Sequence, residues 1–342
     1  MRLERRPQTP AALLVAAPFA AVVVTLLLTS VLVAWAGAPV GKAYALLLQG
    51  GFGSRFALTE TLTRATPLIL TGLAAAVAFR ARLFNIGAEG QLYAGALAAV
   101  AVGGLHGGSG FEASPWLLFP LMVAAAMAAG AALLLGPALL KSRLGVDEVV
   151  TTLLLNFIAL LVVSAMLDGP MKDPTAMGWP QSVALQETLQ LGKLIERSRV
   201  HTGLLAALGL SLALWALLRW TDLGKALRAS AEDPAIAAAF GIHQQRNALL
   251  LAGTCSALAG VAGVCLALGS TLAPSQIYAW VGVVFAAVML GGLGRALAPL
   301  IAGIVIGVSE AVTMAVTAPS WAPLVSFALL IAILLFRPGR AS

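Results

Sequence analysis

The chain has 342 residues, of which 60% are hydrophobic and 10% charged, and a formal net charge of +7. A soluble domain carries about 25% charged residues, so too few charges remain to cover a water-facing surface and the composition requires a polytopic membrane protein. The basic balance does not point to nucleic acid, because Lys and Arg sit mostly at the ends of apolar runs, where they set orientation.

The N-terminal MRLERRPQTP leads into an apolar run, Ala11–Ala36, that is far longer than the roughly 7–15-residue core of a secretion signal. It reads as an uncleaved first span. Nine further runs approach the 17–25 residues that cross a bilayer: Leu62–Phe79, Ala88–Leu105, Trp116–Leu140, Val149–Leu167, Gly203–Leu218, Ala248–Leu268, Ile277–Gly292, Leu297–Val316 and Trp321–Phe336. Several are short or glycine-rich, so the expectation is an all-α membrane protein of eight to ten transmembrane helices, ten by these runs. The whole chain, 1–342, reads as one transmembrane domain. With the N-terminus inside, the inner segments hold 14 of the 21 Lys and Arg residues and the outer ones 7. Every inner segment carries at least one, as the positive-inside rule expects, and both termini come out cytoplasmic. Ten spans divide into five plus five; because five is odd, a repeat of the halves is inverted. TGLAAAVAF in the second span and SALAGVAG in the seventh are its faint sequence echo.

Polar side chains within apolar spans mark helix contacts or a solute path. FNIGAEGQ, Phe84 to Gln91, places Asn85, Glu89 and Gln91 between the second and third spans. Glu89 falls in a first helical turn, where the dipole favours a carboxylate, and reads equally as an end-capping group or as a gate. GVDEVVTTLLLNF opens the fifth span with Asp147 and Glu148 and puts Thr152 and Asn156 four residues apart on one face, for interhelical hydrogen bonding or for the path. Glu310, with Ser309 and Thr313 nearby, lies deep in the ninth span, either filling a helix interface or lining the path. Ala252, Ser256 and Gly260, like Gly303, Gly307 and Ala311, form small-residue rows that let helices approach closely. Cys255 and Cys265 are ten residues apart in one run, about 15 Å if helical, too far for a disulfide.

The outer segment 168–202 holds Pro170, Pro174 and Pro180 and the stretch QETLQLGKLIERSR, which suits a surface helix, either in a solvated loop or as a docking or gating surface. The inner island 220–246, WTDLGKALRASAEDPAIAAAFGIHQQR, contains a helix signal. Asp233 is a good N-cap, Pro234 fits the first helical position and Gly241 the left-handed end, which predicts a helix from Pro234 to Phe240. Ile236 and Phe240 share one face of it. Such an apolar knob outside the membrane is either packed on its own protein or meant for a partner's groove.

The chain has no G-x-x-x-x-G-K-[ST] loop, no H-E-x-x-H and no paired Cys spacing, and His106, His201 and His243 are scattered. No catalytic set, metal site or cofactor is expected, and an enzyme is excluded as a reading.

FNIGAEGQLYAGALAAV, GVDEVVTTLLLNFIA, TDLGKALRASAEDPAIAAAFGI and GGLGRALAPLIAGIVIGVSEA together resemble the permease subunits of bacterial ABC importers, in the branch serving branched-chain amino acids, ribose-type sugars and nucleosides. The resemblance runs from about Leu62 to Phe336, and FNIGAEGQ is most similar to the nucleoside-type members. It implies cytosolic ABC ATPase subunits, a second permease chain (in a heterodimer, as nucleoside systems commonly have, or a homodimer), an extracytoplasmic solute-binding protein and a bacterial inner-membrane location. It also implies a coupling helix at Arg228–Gly241, with Ala235, Ala238, Gly241 and Ile242 at the family's small and apolar positions, and so favours the partner-groove reading of Asp233, Pro234, Ile236 and Phe240. Glu232–Asp233 stands where such permeases often have an amide or a glycine-flanked turn. The expected function is translocation of a small polar solute, a nucleoside first, with simple sugars or branched-chain amino acids as alternatives. A self-sufficient ion-coupled carrier using Glu89 or Glu310 is the alternative of another class.

Overall fold

The computed structural model describes residues 37–273 except 107–109, 111–112 and 197, together with scattered positions between 23 and 35. The eighth to tenth expected spans, Ser309 and Glu310, the row Gly303–Gly307–Ala311 and most of Ala11–Ala36 lie outside the described residues. Among those described, the chain is helical, with isolated β-bridges and no strand. In order come α1 (Val40–Phe52), α2 (Arg55–Arg80), α3 (Ala88–Gly103), α4 (Pro115–Leu144), α5 (Glu148–Asp168), α6 (Gly203–Trp220), α7 (Asp222–Glu232), α8 (Pro234–Ala239) and α9 (Gln244–Gly269). Five of these, α2, α4, α5, α6 and α9, are long and apolar enough to cross a membrane.

Glycine sets how the centre packs. A Cβ on Gly260 of α9 would stand 2.1 Å from the Ala126 carbonyl of α4, and one on Gly130 of α4 would stand 2.4 Å from the Ser256 carbonyl. On another side of α9, a Cβ on Gly263 would meet the Leu92 carbonyl of α3 at 2.2 Å, and one on Gly95 would meet the Gly260 carbonyl at 2.5 Å. Backbone therefore touches backbone where α9 meets α3 and α4, as small-residue interfaces in lipid require. Ala252 and Ser256, expected on this face, are fully buried. Burial follows: 72% of the apolar window of α9 is buried, against 28% for α4 and α5 and 17% for α6, whose free faces carry the large apolar side chains suited to lipid.

Two elements depart from their expected form. The third span ends at Gly103 rather than Leu105, and its 16 residues make about 24 Å, less than the roughly 30 Å hydrocarbon layer. The non-helical segment Leu83–Gly87 precedes it. Among its described residues, segment 168–202 forms no surface helix beyond the end of α5; its one helical piece there is the 3-10 turn Glu187–Leu189. It is laid instead as turns and irregular chain against the end of α3 and the residues that follow α9. Leu105 donates to the Ala184 carbonyl (3.0 Å), Gln186 to the Gly103 carbonyl (3.0 Å) and Ser182 to the Leu272 carbonyl (2.8 Å), while the Leu272 amide donates to Ser182 Oγ (2.9 Å). Val183, Leu185 and Leu189 are buried beneath it with Leu118, Met122 and Leu167. Burying these apolar residues outweighs the helix propensity of the sequence, and the result is a cap. Cys255 and Cys265 are buried and unpaired with each other.

The cap joins α6 through His201, whose Nδ1 accepts from the Gly203 amide at 3.1 Å. Burial holds the His201 imidazole below its ordinary pKa. Above the unfolded value, about 6.5, both states are neutral and the contribution is intact. As pH falls the unfolded chain takes up the proton first, so stability is lost on the way down through the depressed folded value. The thermal midpoint in detergent should fall between about pH 7.5 and about pH 5, and His201→Asn should flatten that decline. The glycine contacts make a second prediction: Gly260→Ala should destabilise the purified chain by about 1–3 kcal/mol through overpacking, whereas Gly136→Ala, which meets open space, should leave the midpoint unchanged.

Candidate functional site

The two polar clusters of the sequence meet in space. Glu148, Thr152 and Asn156 are spaced by four along α5, so they stack on one face, and all three are buried. Each accepts from a backbone amide of the segment that leads into α3 or of the first turn of α3. Glu148 Oε1 accepts from Phe84 (3.4 Å), Thr152 Oγ1 from Ile86 (3.2 Å) and Asn156 Oδ1 from Gly90 (2.6 Å). The hydroxyl of Thr152 in turn donates to the Glu148 carbonyl (2.6 Å). Non-helical backbone inside a membrane protein is tolerated only where its polar groups find partners, and this ladder supplies them.

The approach is close enough to require glycine. A Cβ on Gly87 would lie 2.8 Å from the Thr152 carbonyl and one on Gly90 2.9 Å from Asn156 Oδ1. Asn85 and Gln91 exchange reciprocal side-chain hydrogen bonds (3.1 and 3.0 Å), and Asn85 Oδ1 also accepts from the Gly87 amide (3.0 Å). Lys141 of α4 donates to Glu148 and to the Arg82 carbonyl (2.9 Å), which ties α4, α5 and the loop together. Asp147 caps α5 through the Val149 amide (2.8 Å).

Glu89 is the exception within this network. Its side chain is only 3% exposed, Asn156 hydrogen-bonds its carboxylate, and Oε1 has no partner. Asn85, Gln91, Thr152 and Asn156 are engaged with one another or with backbone, while Glu89 keeps an unused acceptor. Lys141 and Glu148 did not stand out in the sequence as partners of this loop. The regular spacing of 148, 152 and 156 was the available signal, but nothing local shows which backbone the face meets.

The polar island 220–246 contains a helical pair. Thr221 caps α7 through the Gly224 amide (3.3 Å), and Asp233 caps α8 through Ala235 (2.9 Å) and Ile236 (3.0 Å), with Pro234 at the first position. Gly241, at φ +76°, closes α8: its amide donates to Ala238 (2.9 Å) and that of Ile242 to Ala237 (3.1 Å). This paired bond pattern with a left-handed glycine is a Schellman ending. The helix stops one residue short of the expected Phe240, which becomes its C-cap. Ala237, not singled out in the sequence, is the inward residue at 2% exposure. Ala235, Ala238 and Gly241 are exposed, Ile242 is half-buried, and Ile236 (56%) and Phe240 (82%) project outward. Arg228 of α7 faces the opposite way, toward the end of α6, donating to the carbonyls of Leu218 and Arg219.

Comparison with known proteins accords with these features. A family model described as branched-chain amino acid transport system / permease component matches residues 57–334. A guanosine ABC transporter permease protein of Bacillus subtilis is 30% identical over 322 residues, 93% of this chain and 91% of that protein. A glucose ABC transporter permease protein of Haloferax volcanii is 35% identical over 278 residues, 77% of this chain and 71% of that one. A nucleoside ABC transporter permease protein of Lactococcus lactis is 31% identical over 231 residues, 65% of this chain and 62% of that one. No solved structure matches.

The ladder makes its own prediction. Thr152→Val keeps the shape but removes the acceptor for the Ile86 amide, and should destabilise the chain by about 1–3 kcal/mol in denaturant titrations in micelles. Thr152→Ser, which keeps the oxygen, should recover most of that loss.

Proposed function

This chain belongs to the family of branched-chain amino acid transport system permease components, and from that premise we propose that it is the membrane-spanning subunit of an ATP-driven importer. The observation that carries the mechanism is α8. It is a short helix closed at both ends by its own sequence, so it holds its shape without a partner, and it turns Ile236 and Phe240 outward. An apolar pair presented on a rigid, capped element suits insertion into a cleft on another protein. That protein is a cytosolic ATPase, which supplies the hydrolysis for which this chain has no nucleotide motif. Arg228, Asp233, Pro234, Ala235, Ile236, Ala238, Phe240, Gly241 and Ile242 form the coupling element. Closure of the ATPase dimer displaces α8, and the spans rock between outward- and inward-open arrangements.

The solute is a nucleoside, in keeping with the guanosine and nucleoside permeases among the relatives; a sugar is the alternative that the glucose relative supports. Glu89 faces the path with its free oxygen, an acceptor suited to ribose hydroxyls or base N–H groups. Asn85, Gln91, Thr152 and Asn156 form the wall that holds it, and Ser309 and Glu310 belong to the opposite half. The assembly pairs this chain with a second permease, receives solute from an extracytoplasmic binding protein, and sits in the inner membrane with both termini cytoplasmic. Its full complement is about ten spans in two inverted halves. The unpartnered Glu89 oxygen also favours one reading of another class, an ion-coupled carrier. Uptake into vesicles driven by a proton gradient without an ATPase separates the two.

Phe240→Asp puts a charge on the knob, and Gly241→Pro removes both the left-handed residue and its amide. Each should leave the chain inserted and folded but weaken attachment of the co-expressed ATPase by about 30-fold or more, the loss of a buried aromatic anchor. Undiminished co-purification with full ATP-driven uptake is the result that defeats the reading.

A further inference from the structure

We propose that Arg228 is a positioning residue that joins α6, α7 and α8 into one arm, so that displacement of the cytosolic knob is delivered to the outer cap; this rests on the coupling role proposed above. The last carbonyls of a helix have no partner within it. At the inner end of α6, Arg228 takes two of them: Nη1 donates to the Leu218 carbonyl and Nη2 to the Arg219 carbonyl at 3.4 Å. A guanidinium suits this task because its donors form a planar fork. The two helices are also in backbone contact there, since a Cβ on Gly224 would fall 2.1 Å from the Leu218 carbonyl. From α7 to α8 there is no slack. Asp233 alone intervenes, its amide donating to the Ala229 carbonyl (3.0 Å) while its carboxylate caps α8.

The outer end of α6 is fastened to the cap in the same manner. His201 accepts from the Gly203 amide (3.1 Å), Thr202 donates to the Gly192 carbonyl (3.0 Å), and Leu194 donates to the Val200 carbonyl (2.9 Å). Sideways, α6 is held far less. Only 17% of its apolar window is buried, against 72% for α9, and its buried residues are Gly203, Ala207 and Leu214. Below α7 the seat formed by Leu227, Leu251 and Val77 leaves a cavity of about 20 Å³ beside Arg228, about the size that admits one water. Polar bonds run along the arm, whereas apolar contacts, which are not directional, join it to the centre. A push on Ile236 and Phe240 therefore travels along α6.

The test uses spin labels in a chain with Cys255 and Cys265 changed to alanine and shown to retain native transport. Labels at Leu212 and Ala239 span the arm, and labels at Leu121 and Leu250 span the glycine-packed centre. Arg228→Ala should widen the arm distribution and leave the central one unchanged. Arg228→Lys, with one ammonium in place of the fork, should fall between. Widening of both pairs, or of neither, overturns the proposal. In the complex with its ATPase, trapping with ATP and vanadate should shift a label at Gln190 of the cap in the native chain. Arg228→Ala, read on complexes isolated intact, should abolish that shift, and Arg228→Lys should reduce it. A variant whose cap label still shifts, or a native complex whose cap label never does, refutes the arm. If Phe240→Asp leaves coupling intact, the coupling reading fails; if Phe240→Asp uncouples and Arg228→Ala does not, only the arm fails.

Discussion

Inside a lipid layer, every backbone amide that leaves a helix must find a partner within the protein. The segment Leu83–Gly87 is non-helical just where the chain passes from α2 into the short helix α3. Its place is secured by one face of α5, with Glu148 and Thr152 receiving the amides of Phe84 and Ile86, and Asn156 that of Gly90 in the first turn of α3. Remove that face and the orphaned amides would draw the segment back toward helix or water. The glycines at 87 and 90 are the other half of the same contact, because any side chain there would hold the two backbones apart. Glu89 is presented as a consequence. The residue lies between two anchored neighbours, so its carboxylate is held buried with one oxygen free, an arrangement that a flexible loop would not maintain.

Around this site the molecule divides by the kind of contact that holds it. The α3–α4–α9 centre packs through glycine, with carbonyls where side chains would otherwise stand, and such an interface has few alternative arrangements. The cap 168–202 and the pair α7–α8 are held chiefly by directional hydrogen bonds at helix ends. Large apolar side chains on α4, α5 and α6 face away from the protein, as lipid contact allows. Phe240 and Ile236 are different, since they project from the polar island 220–246, where lipid is not the natural occupant. Their exposure within a fully capped helix is what makes α8 a candidate for engagement by another protein.

The polar residues that first suggest a solute path prove unequal once their bonds are traced. Asn85 and Gln91 satisfy each other, and Thr152 and Asn156 serve the backbone, so most of their capacity is spent on architecture. A path role for them is one of shaping and support. Among the described residues of this set, Glu89 alone retains an unpartnered carboxyl oxygen.

By itself the sequence determined the membrane class, the positions of α2, α4, α5, α6 and α9 to within a few residues at most ends, and nearly all of α8. These are local properties: apolar length, charge at the ends of runs, an Asp-Pro start and a glycine stop act over one or two turns. The family too was legible, because its motifs are contiguous. Only the tertiary structure decided that segment 168–202 lies as a cap, that Ala237 is the inward residue of α8, that Lys141 closes on Glu148 and that Arg228 reaches back to α6. Each of these joins residues distant in the chain or selects one face of a helix over another. Such choices depend on which surface arrives opposite, and no local propensity carries that information.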